Sequence, residues 1–359
     1  METDKLNKFD GHNKSYRQNK FDELEKLDIK RRGDRIGKYL KAHIEKFAFD
    51  KFSEDYIKRC KMGFMRGVPV PFRTEDIKAL DSGSIYTRLS ISHIGENMAW
   101  IMGIDPHFPY TDHYIEFIKI NFRNKAAAAL NVEAKNAAEK ENFDSACIHF
   151  RAALCVEPGN LDAMYGYARV CRAMYLESDD ADYIGNFKAE ALEFFELTTW
   201  KYPNFSMAYY YLGYAYLNMG LYQKAYITWK DYIKKSTNAK ERKEINERLE
   251  QLSDPVEIER GCNAAVSGRW DEGITILEPY LGSKYKDWWP LYYYLGASYA
   301  NKARVDEAVA MFKQALRLNP SHVESMDELA GIYEFENQKE LSDKYRNKAE
   351  LIRRGGYEG

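Results

Sequence analysis

Two histidines and two acidic residues lie close enough in the chain to suggest a metal site. They are His107, Asp112, His113 and Glu116. His113 and Glu116 are three residues apart and would share a helix face, as ligands do in some zinc sites. The H-E-x-x-H pattern of metalloproteases is absent, however, and a turn in which Asp112 caps a helix explains the same residues. We therefore predict no metal site.

Motifs that bind phosphates or activate a nucleophile are also missing. The sequence contains neither a Walker-type glycine loop nor a Gly-x-Ser-x-Gly nucleophile elbow. The run Asp81-Ser82-Gly83-Ser84 has the composition of a turn. The sequence thus predicts no catalytic residues, no cofactor and no enzymatic activity.

Composition and charge narrow the class of protein. The chain has 359 residues and a formal charge of -2, so no overall basic excess points to nucleic acid. Aromatic residues make up 14% of it, which is typical of a folded protein. No segment has the apolar length of a membrane span, and the five cysteines form no C-x-x-C pair. We expect a cytoplasmic protein with reduced thiols and no membrane association.

The strongest pattern is a repeat of small, aromatic and proline residues at fixed spacing. It occurs three times, as Ala146-Phe150-Ala153-Pro158, Ala191-Phe195-Thr198-Pro203 and Ala308-Phe312-Ala315-Pro320. In the last copy, Leu295, Gly296 and Tyr299 precede it at helical spacing, so each unit is predicted to be a pair of helices. The proline ends the second helix because it cannot donate the next backbone hydrogen bond.

This pattern resembles the tetratricopeptide repeat family, whose units are about 34 residues long. The resemblance covers roughly residues 126–352 and implies an all-α, right-handed solenoid of five to six repeats. The step from Pro158 to Pro203 is about 11 residues longer than one unit, which predicts a lengthened helix or loop near 177–185. We read the charged run 240–252 as a helix extension. Ser342 and Arg346 replace the expected Ala and Phe, as a terminal capping repeat requires.

Proteins of the resembling family bind peptides on the concave surface formed by the first helix of each unit. Transferred to this chain, the family positions give a basic and tyrosine-rich lining that becomes acidic toward Glu324 and Asp327. The candidate peptide-binding residues are Asn131, Lys135, Tyr165, Arg169, Arg172, Tyr210, Tyr214, Asn218, Tyr293 and Asn301. Tyrosine faces would contact proline or aliphatic side chains, and the cations would bind carboxylates or phosphates. The alternative is that the tyrosines pack against the chain's own amino-terminal segment.

The amino-terminal region shows no repeat and resembles no family. We predict a disordered tail over 1–20, a helical cap or docking domain over 21–125, the solenoid over 126–352 and a flexible tail over 353–359. Periodicity predicts helices over 21–49, 90–102 and 111–122. Residues 1–70 carry 18 Lys and Arg against 12 Asp and Glu, so this end is basic.

Three functions fit the sequence. The first is a non-catalytic scaffold or adaptor that binds a protein or peptide segment in the concave groove. The second is a peptide-responsive regulator whose basic amino-terminal region binds nucleic acid, although residues 21–72 contain no recognisable helix-turn-helix. The third is a structural subunit of a homo- or hetero-oligomer, with the amino-terminal domain as its docking surface. The repeats favour the first, and the charge balance disfavours nucleic acid.

Overall fold

The protein is an all-α repeat protein, as the sequence predicts. The computed structural model describes residues 25–75 and 90–355. The predicted tail over 1–20, the turn at 81–84 and the last four residues lie outside this range. The helices are α1 (Gly37–Leu40), α2 (Glu54–Cys60), α3 (Ile91–Ile104), α4 (Thr111–Phe122), α5 (Ala126–Glu139), α6 (Phe143–Val156), α7 (Leu161–Leu176), α8 (Ala181–Lys201), α9 (Ser206–Leu217), α10 (Tyr222–Lys235), α11 (Ala239–Gln251), α12 (Ser253–Val266), α13 (Trp270–Leu277), α14 (Trp289–Asn301), α15 (Val305–Leu318), α16 (Val323–Phe335) and α17 (Lys339–Arg353).

The described chain forms two compact units. The first contains residues 25–75, 90–218 and 234–236, and the second contains 219–233 and 237–355. From α5 onward the helices follow one another in pairs, except that α11 stands between two pairs. Asn238 begins α11 by accepting hydrogen bonds from the backbone N–H groups of Lys240 and Glu241. The predicted helix extension over 240–252 is therefore wrong: these residues form a separate, capped helix.

Sequence-local caps set the helix starts in the first unit. Asn142, Asn160 and Asp180 each accept a hydrogen bond from the backbone N–H three residues later, at the starts of α6, α7 and α8. The extra residues of the second repeat lie mainly in α8, which has 21 residues where α6 has 14. The predicted insertion is thus confirmed as a longer helix.

The first repeats pack through the small and aromatic residues that define the pattern. Ala146, Ala153 and Phe195 are fully buried, and Phe150 nearly so. A Cβ added at Gly166 of α7 would lie 2.2 Å from the ring of Phe150 in α6. The two helices therefore meet at a point where only a hydrogen fits.

The amino-terminal region departs from the helical prediction over 21–49. Residues 29–31 and 41–46 form 3₁₀ turns around the short α1, and a strand, β1 (Phe47–Lys51), follows. It pairs antiparallel with β2 (Pro69–Arg73), in the register Phe47 opposite Arg73. Pro69 and Pro71 are tolerated because β2 is an edge strand, in which a proline can lie where no backbone N–H is needed for a hydrogen bond to the partner strand. The predictions for α3 and α4 are confirmed to within two residues.

The segment over 28–39 lies along α6 and α8, the second helices of the first two repeats. Arg151 of α6 is 1% exposed and donates two hydrogen bonds to Asp34, at 3.0 and 2.6 Å. Arg35 is paired with Glu190 and Glu193 of α8, at 3.1 and 2.6 Å. Ion pairs therefore fix this segment to the repeats. The segment supplies the acidic partner at Asp34 and the basic partner at Arg35.

Burial and hydrogen bonding act against each other at two of these carboxyl groups. Burial alone would raise the pKa of Asp34, but the hydrogen bonds and charge of Arg151 outweigh it and hold that pKa below its usual value. At Glu190 burial dominates and raises the pKa despite Arg32 and Arg35. The cost of burying the charge is thus compensated better at Asp34 than at Glu190.

The second unit has its own core around α14 to α16. Leu295, Phe312 and Leu329 are fully buried there. A Cβ at Gly296 would lie 2.8 Å from the ring of Phe312, as the small-residue position predicts. In the last pair Arg346 is exposed and bonded to Glu334, but Ser342 is buried and donates to the Ala330 carbonyl at 2.9 Å. The terminal repeat therefore exposes a polar side chain at only one of the two substituted positions.

Within the described ranges, no helix combines the length and the apolar character needed to cross a membrane.

Candidate functional site

A pocket opens on the first-helix side of the first two repeats. Its volume is about 500 Å³, and α5, α6, α7 and the residue before α9 form its walls. Three of the predicted peptide-binding residues, Lys135, Tyr165 and Arg169, lie in it together. The other lining residues are Ala138, Glu139, Phe143, Phe150, Asp162, Gly166, Val170, Ala173 and Phe205.

Charged groups and aromatic faces alternate around this pocket. Lys135 is paired with Asp162 at 3.4 Å, and both side chains remain more than half exposed. Tyr165 is half-buried and meets the ring of Phe205 edge-on, with centroids 4.9 Å apart. The pocket can therefore hold an apolar side chain between aromatic walls and a charged group at its rim.

Two arginines of α7 face one tyrosine beside this pocket. The guanidinium carbons of Arg169 and Arg172 lie 5.2 and 5.7 Å from the ring centroid of Tyr211. Arg169 also lies 5.7 Å from the ring of Tyr165. Within the described residues neither arginine is paired with a carboxylate, and the buried Nε of Arg172 has no hydrogen-bond partner. We name Arg169, Arg172 and Tyr211 the arginine–tyrosine cluster.

The predicted residues of α9 extend the tyrosine surface in the same unit. Tyr210 and Tyr214 are half-buried and meet edge-on, with ring centroids 5.2 Å apart. At the end of this helix Asn218 is exposed, and its carbonyl accepts a hydrogen bond from Lys188 at 2.7 Å.

Asn131 does not lie on an open surface. It is 3% exposed, and its amide nitrogen donates to the side-chain oxygen of Asn160 at 3.0 Å. That oxygen also caps α7 by accepting the Ala163 N–H. Asn131 therefore joins two repeats, and we no longer count it among the groups that contact a ligand.

The remaining predicted residues lie in the second unit. Tyr293 is half-buried and meets the ring of His322 at 4.7 Å. The amide of Asn301 donates to the Ala297 carbonyl of its own helix at 2.9 Å. The acidic residues there already have partners: Glu324 lies 3.2 Å from His322, and Asp327 is paired with Arg353.

Several residues of the pocket and of the adjacent arginine–tyrosine cluster were not predicted from the sequence. Phe205 precedes α9, and Tyr211 follows the groove position taken by Tyr210. Their signal in the sequence is only that they are aromatic residues next to a helix start and a groove position. Glu139 and Asp162 contribute acidic groups to a rim that we expected to be basic.

Two residues of the suspected metal site, Asp112 and His113, make other contacts. Asp112 is bonded to Lys30 at 2.7 Å, and the ring of His113 lies 6.0 Å from that of Tyr110. His107 instead lies near Asp34 and Asp105, with ligand atoms within 4.8 Å of one another. Both carboxylate oxygens of Asp34 already accept hydrogen bonds from Arg151. Asp34, one of the three residues, therefore already serves as the partner of Arg151 in the fold.

Known protein families match two parts of the chain. Family models of the tetratricopeptide repeat match residues 207–238 and 289–322, which contain α9 with α10 and α14 with α15. No curated protein matches the chain.

Several solved structures of tetratricopeptide repeat (TPR) proteins are similar to parts of it. The TPR domain of P58(IPK) is 20% identical over 63% of this chain and 60% of that chain, with a TM-score of 0.38. A TPR protein from Parabacteroides merdae is 17% identical over 72% of this chain and 94% of that chain, with a TM-score of 0.31. YrrB, described as having an unusual peptide-binding site, is 15% identical over 56% of this chain and 91% of that chain, with a TM-score of 0.28.

The paired helices, the Gly296–Phe312 contact and the two family matches lead to the same conclusion: residues 207–238 and 289–322 of this chain are tetratricopeptide repeats, and its region before α5 matches no family model.

Proposed function

We propose that this protein is a non-catalytic adaptor that binds an extended segment of a partner protein along the first helices of its first repeats. Tetratricopeptide repeats form a fold that generally serves protein interaction, which supports the coarse assignment. The observation that carries the specific one is the pocket beside the arginine–tyrosine cluster, where Arg169 and Arg172 have no acidic partner among the described residues.

The chemistry of the site favours a segment with an apolar residue next to an acidic one. The walls formed by Tyr165, Phe205 and Phe150 suit a proline or aliphatic side chain. An arginine fork binds a carboxylate or phosphate with two parallel hydrogen bonds, and stacking on Tyr211 holds it in place. Lys135 is held by Asp162, so we assign the main anion contact to Arg169 and Arg172.

The second unit contributes less to this proposal. Its candidates Tyr293 and Asn301 stay predictions, because the neighbouring acids Glu324 and Asp327 are already paired with cations. Tyr210, Tyr214 and Asn218 remain proposed contacts along α9. The cytoplasmic location also stays a prediction from the cysteine pattern.

Binding of nucleic acid by the basic amino-terminal region is disfavoured by where its cations lie. Lys30, Arg35 and Lys38 are paired with acidic residues of α4 and α8. A duplex would have to replace these contacts, so these three cations do not form a free basic surface.

A displayed library of random peptides tests the adaptor proposal. We expect selection on the intact protein to enrich sequences with an acidic residue beside proline or an aliphatic residue. Synthetic copies should lose at least tenfold in affinity on Arg169→Glu and should bind more weakly as salt is raised. Tyr210→Ala should also weaken binding.

The matched control is Lys58→Glu, a charge reversal at an exposed position of α2, which should leave binding unchanged. Circular dichroism would establish that all three variants keep their helices. Equal binding by wild type, Arg169→Glu and Tyr210→Ala would rule out this groove.

A further inference from the structure

A second, larger cavity lies on the other side of α5. Its volume is about 680 Å³, within the range of roughly 300–1,000 Å³ typical of ligand pockets. It is bounded by α3, the end of α4, the turn over 123–125, α5 and His149 of α6. The residues of α5 that line it are Ala126, Ala129, Leu130 and Glu133, whereas the concave pocket uses Lys135 and Ala138. The two sites are therefore separate.

The middle of this cavity is apolar. Ala99, Ile118, Phe122 and Leu130 line it. Small residues on α3 and α5 leave it wide; they are Gly95, Ala99, Ala126 and Ala129. A Cβ at Gly95 would lie 2.6 Å from the ring of Phe122, so the glycine keeps that ring at the cavity wall. An apolar body would be buried there.

One end of the cavity offers hydrogen-bond acceptors. His149 is 6% exposed, and its Nδ1 lies 2.7 Å from the Ser145 carbonyl, so Nδ1 carries the proton and Nε2 keeps its lone pair. Burial lowers the pKa of His149, which keeps the ring neutral. Glu96 and Glu133 line the same cavity, and their charges act on this ring.

The acceptors differ in how they are already used. Glu96 is paired with Arg73 at 3.1 Å, but Glu133 has no cationic partner in the part of the chain that the structure describes. His149 and Glu133 are thus acceptors without a donor.

The other end of the cavity offers donors. Arg123 and Lys125 are exposed at its margin, and within the described ranges neither is paired with an acid. Lys125 and Glu133 are eight residues apart, which is about 12 Å along a helix at 1.5 Å per residue. A chain of about three extended residues spans a similar length, at roughly 3.3–3.6 Å each.

We propose that this cavity binds a short apolar peptide of about three residues with both ends free. Its amino group bonds to Glu133 and to Nε2 of His149, and its carboxylate bonds to Arg123 and Lys125. The apolar side chains lie against Ile118, Phe122 and Leu130.

The test uses the full chain and a set of tripeptides built from Leu, Val and Phe. Each is supplied with free ends, with an acetylated amino end and with an amidated carboxyl end, and binding is measured by calorimetry. We expect at least one free tripeptide to bind, and to lose tenfold or more when either end is blocked. Glu133→Gln should weaken the preference for a free amino end and leave the preference for a free carboxyl end unchanged, because Nε2 of His149 still accepts one hydrogen bond from the amino group.

Two alanines of α5 give a matched pair of variants. Ala129 lines the cavity, so Ala129→Phe should fill it and abolish binding. Ala128 is the next residue and does not line the cavity, so Ala128→Phe should leave binding unchanged. Arg169→Glu should also leave tripeptide binding intact, which separates this site from the adaptor groove. The proposal is overturned if no free tripeptide binds, if blocked and free forms bind equally, or if Ala129→Phe binds as well as wild type.

Discussion

At the scale of single residues, Arg151 joins parts of the chain that are far apart in sequence. Its Nε donates to the Gly103 carbonyl of α3 at 2.7 Å, and its two terminal nitrogens donate to Asp34. The side chain is fully desolvated, so its charge depends on these acceptors. Gly37 allows the Asp34 carboxylate to lie against the start of α1, because a Cβ at Gly37 would lie 2.2 Å from an oxygen of Asp34.

We predict that Arg151→Met destabilises the protein by about 3–5 kcal/mol, because it leaves Asp34 partly buried without a cation. Urea unfolding followed by circular dichroism measures the change. The control Arg169→Met removes an exposed arginine and should cost no more than about 0.5 kcal/mol. Equal midpoints for the two variants would show that the buried pair contributes nothing.

Gly296 provides a second prediction at this scale. Gly296→Leu overpacks the contact with Phe312, and we expect a loss of about 1–3 kcal/mol. Gly331 lies in α16 with no atom within 4 Å of a Cβ, so Gly331→Leu should be neutral or stabilising. Thermal unfolding of both variants compares them directly, and similar losses would mean that helix crossing is not the cause.

At the scale of elements, the extra turns of α8 make a contact that an average repeat could not. Asp182, Tyr183 and Phe187 lie in these turns, and all three meet Tyr39 of α1. Phe187 is fully buried. The insertion of the second repeat therefore holds the amino-terminal segment on the repeats.

We predict that Tyr39→Ala increases amide hydrogen exchange over residues 29–46 by tenfold or more, because it removes both aromatic contacts. Lys38→Ala removes only an exposed pair with Asp182 and should have a much smaller effect. Mass spectrometry of peptic fragments measures both. A larger effect from Lys38→Ala would show that charge, and not ring packing, fixes the segment.

Elements with a local signal were predictable, and those that depend on distant partners were not. The helix Thr111–Phe122 has both of its signals, an acidic residue in its first turn and apolar residues at helical spacing, within its own twelve residues. The prediction matched the helix. Phe47 continues the helical spacing of Ile36, Leu40 and Ile44, which is why the predicted helix extended to residue 49. Residues 47–51 instead pair with β2, which lies 18 residues or more along the chain. A strand partner at that distance leaves no periodic mark in the window that the prediction uses.

At the scale of the whole molecule, each compact unit contains a histidine whose side chain is largely shielded from solvent and whose pKa is lowered. Burial lowers the pKa of His149 in the first unit and of His322 in the second. Nδ1 of His322 accepts the Ser325 N–H and so caps α16. The His322 ring must therefore be neutral to cap the helix, whereas at His149, whose Nδ1–H donates to the Ser145 carbonyl, burial is what disfavours the charged ring.

We predict that stability falls as the pH drops below about 6.5, the ordinary pKa of histidine. The unfolded chain then binds protons that the folded chain does not, so the free energy of unfolding decreases toward the folded pKa values. Chemical denaturation between pH 7.5 and 5.5 measures this loss. His149→Gln combined with His322→Asn should flatten the profile, and Asn keeps a capping oxygen on α16. An unchanged profile in the double variant would exclude these histidines.

The sequence by itself determined the paired helices, their crossing glycines and the proline ends, because each depends on side chains a few positions apart. It also placed Lys135, Tyr165 and Arg169 in one groove through the resemblance to a repeat family. Only the tertiary structure decided that Asn131 is buried, that Tyr211 faces the two arginines, and that a cavity lies between α3 and α5. These features depend on how distant helices meet, and packing at that distance follows the shapes of whole elements, which local spacing does not encode.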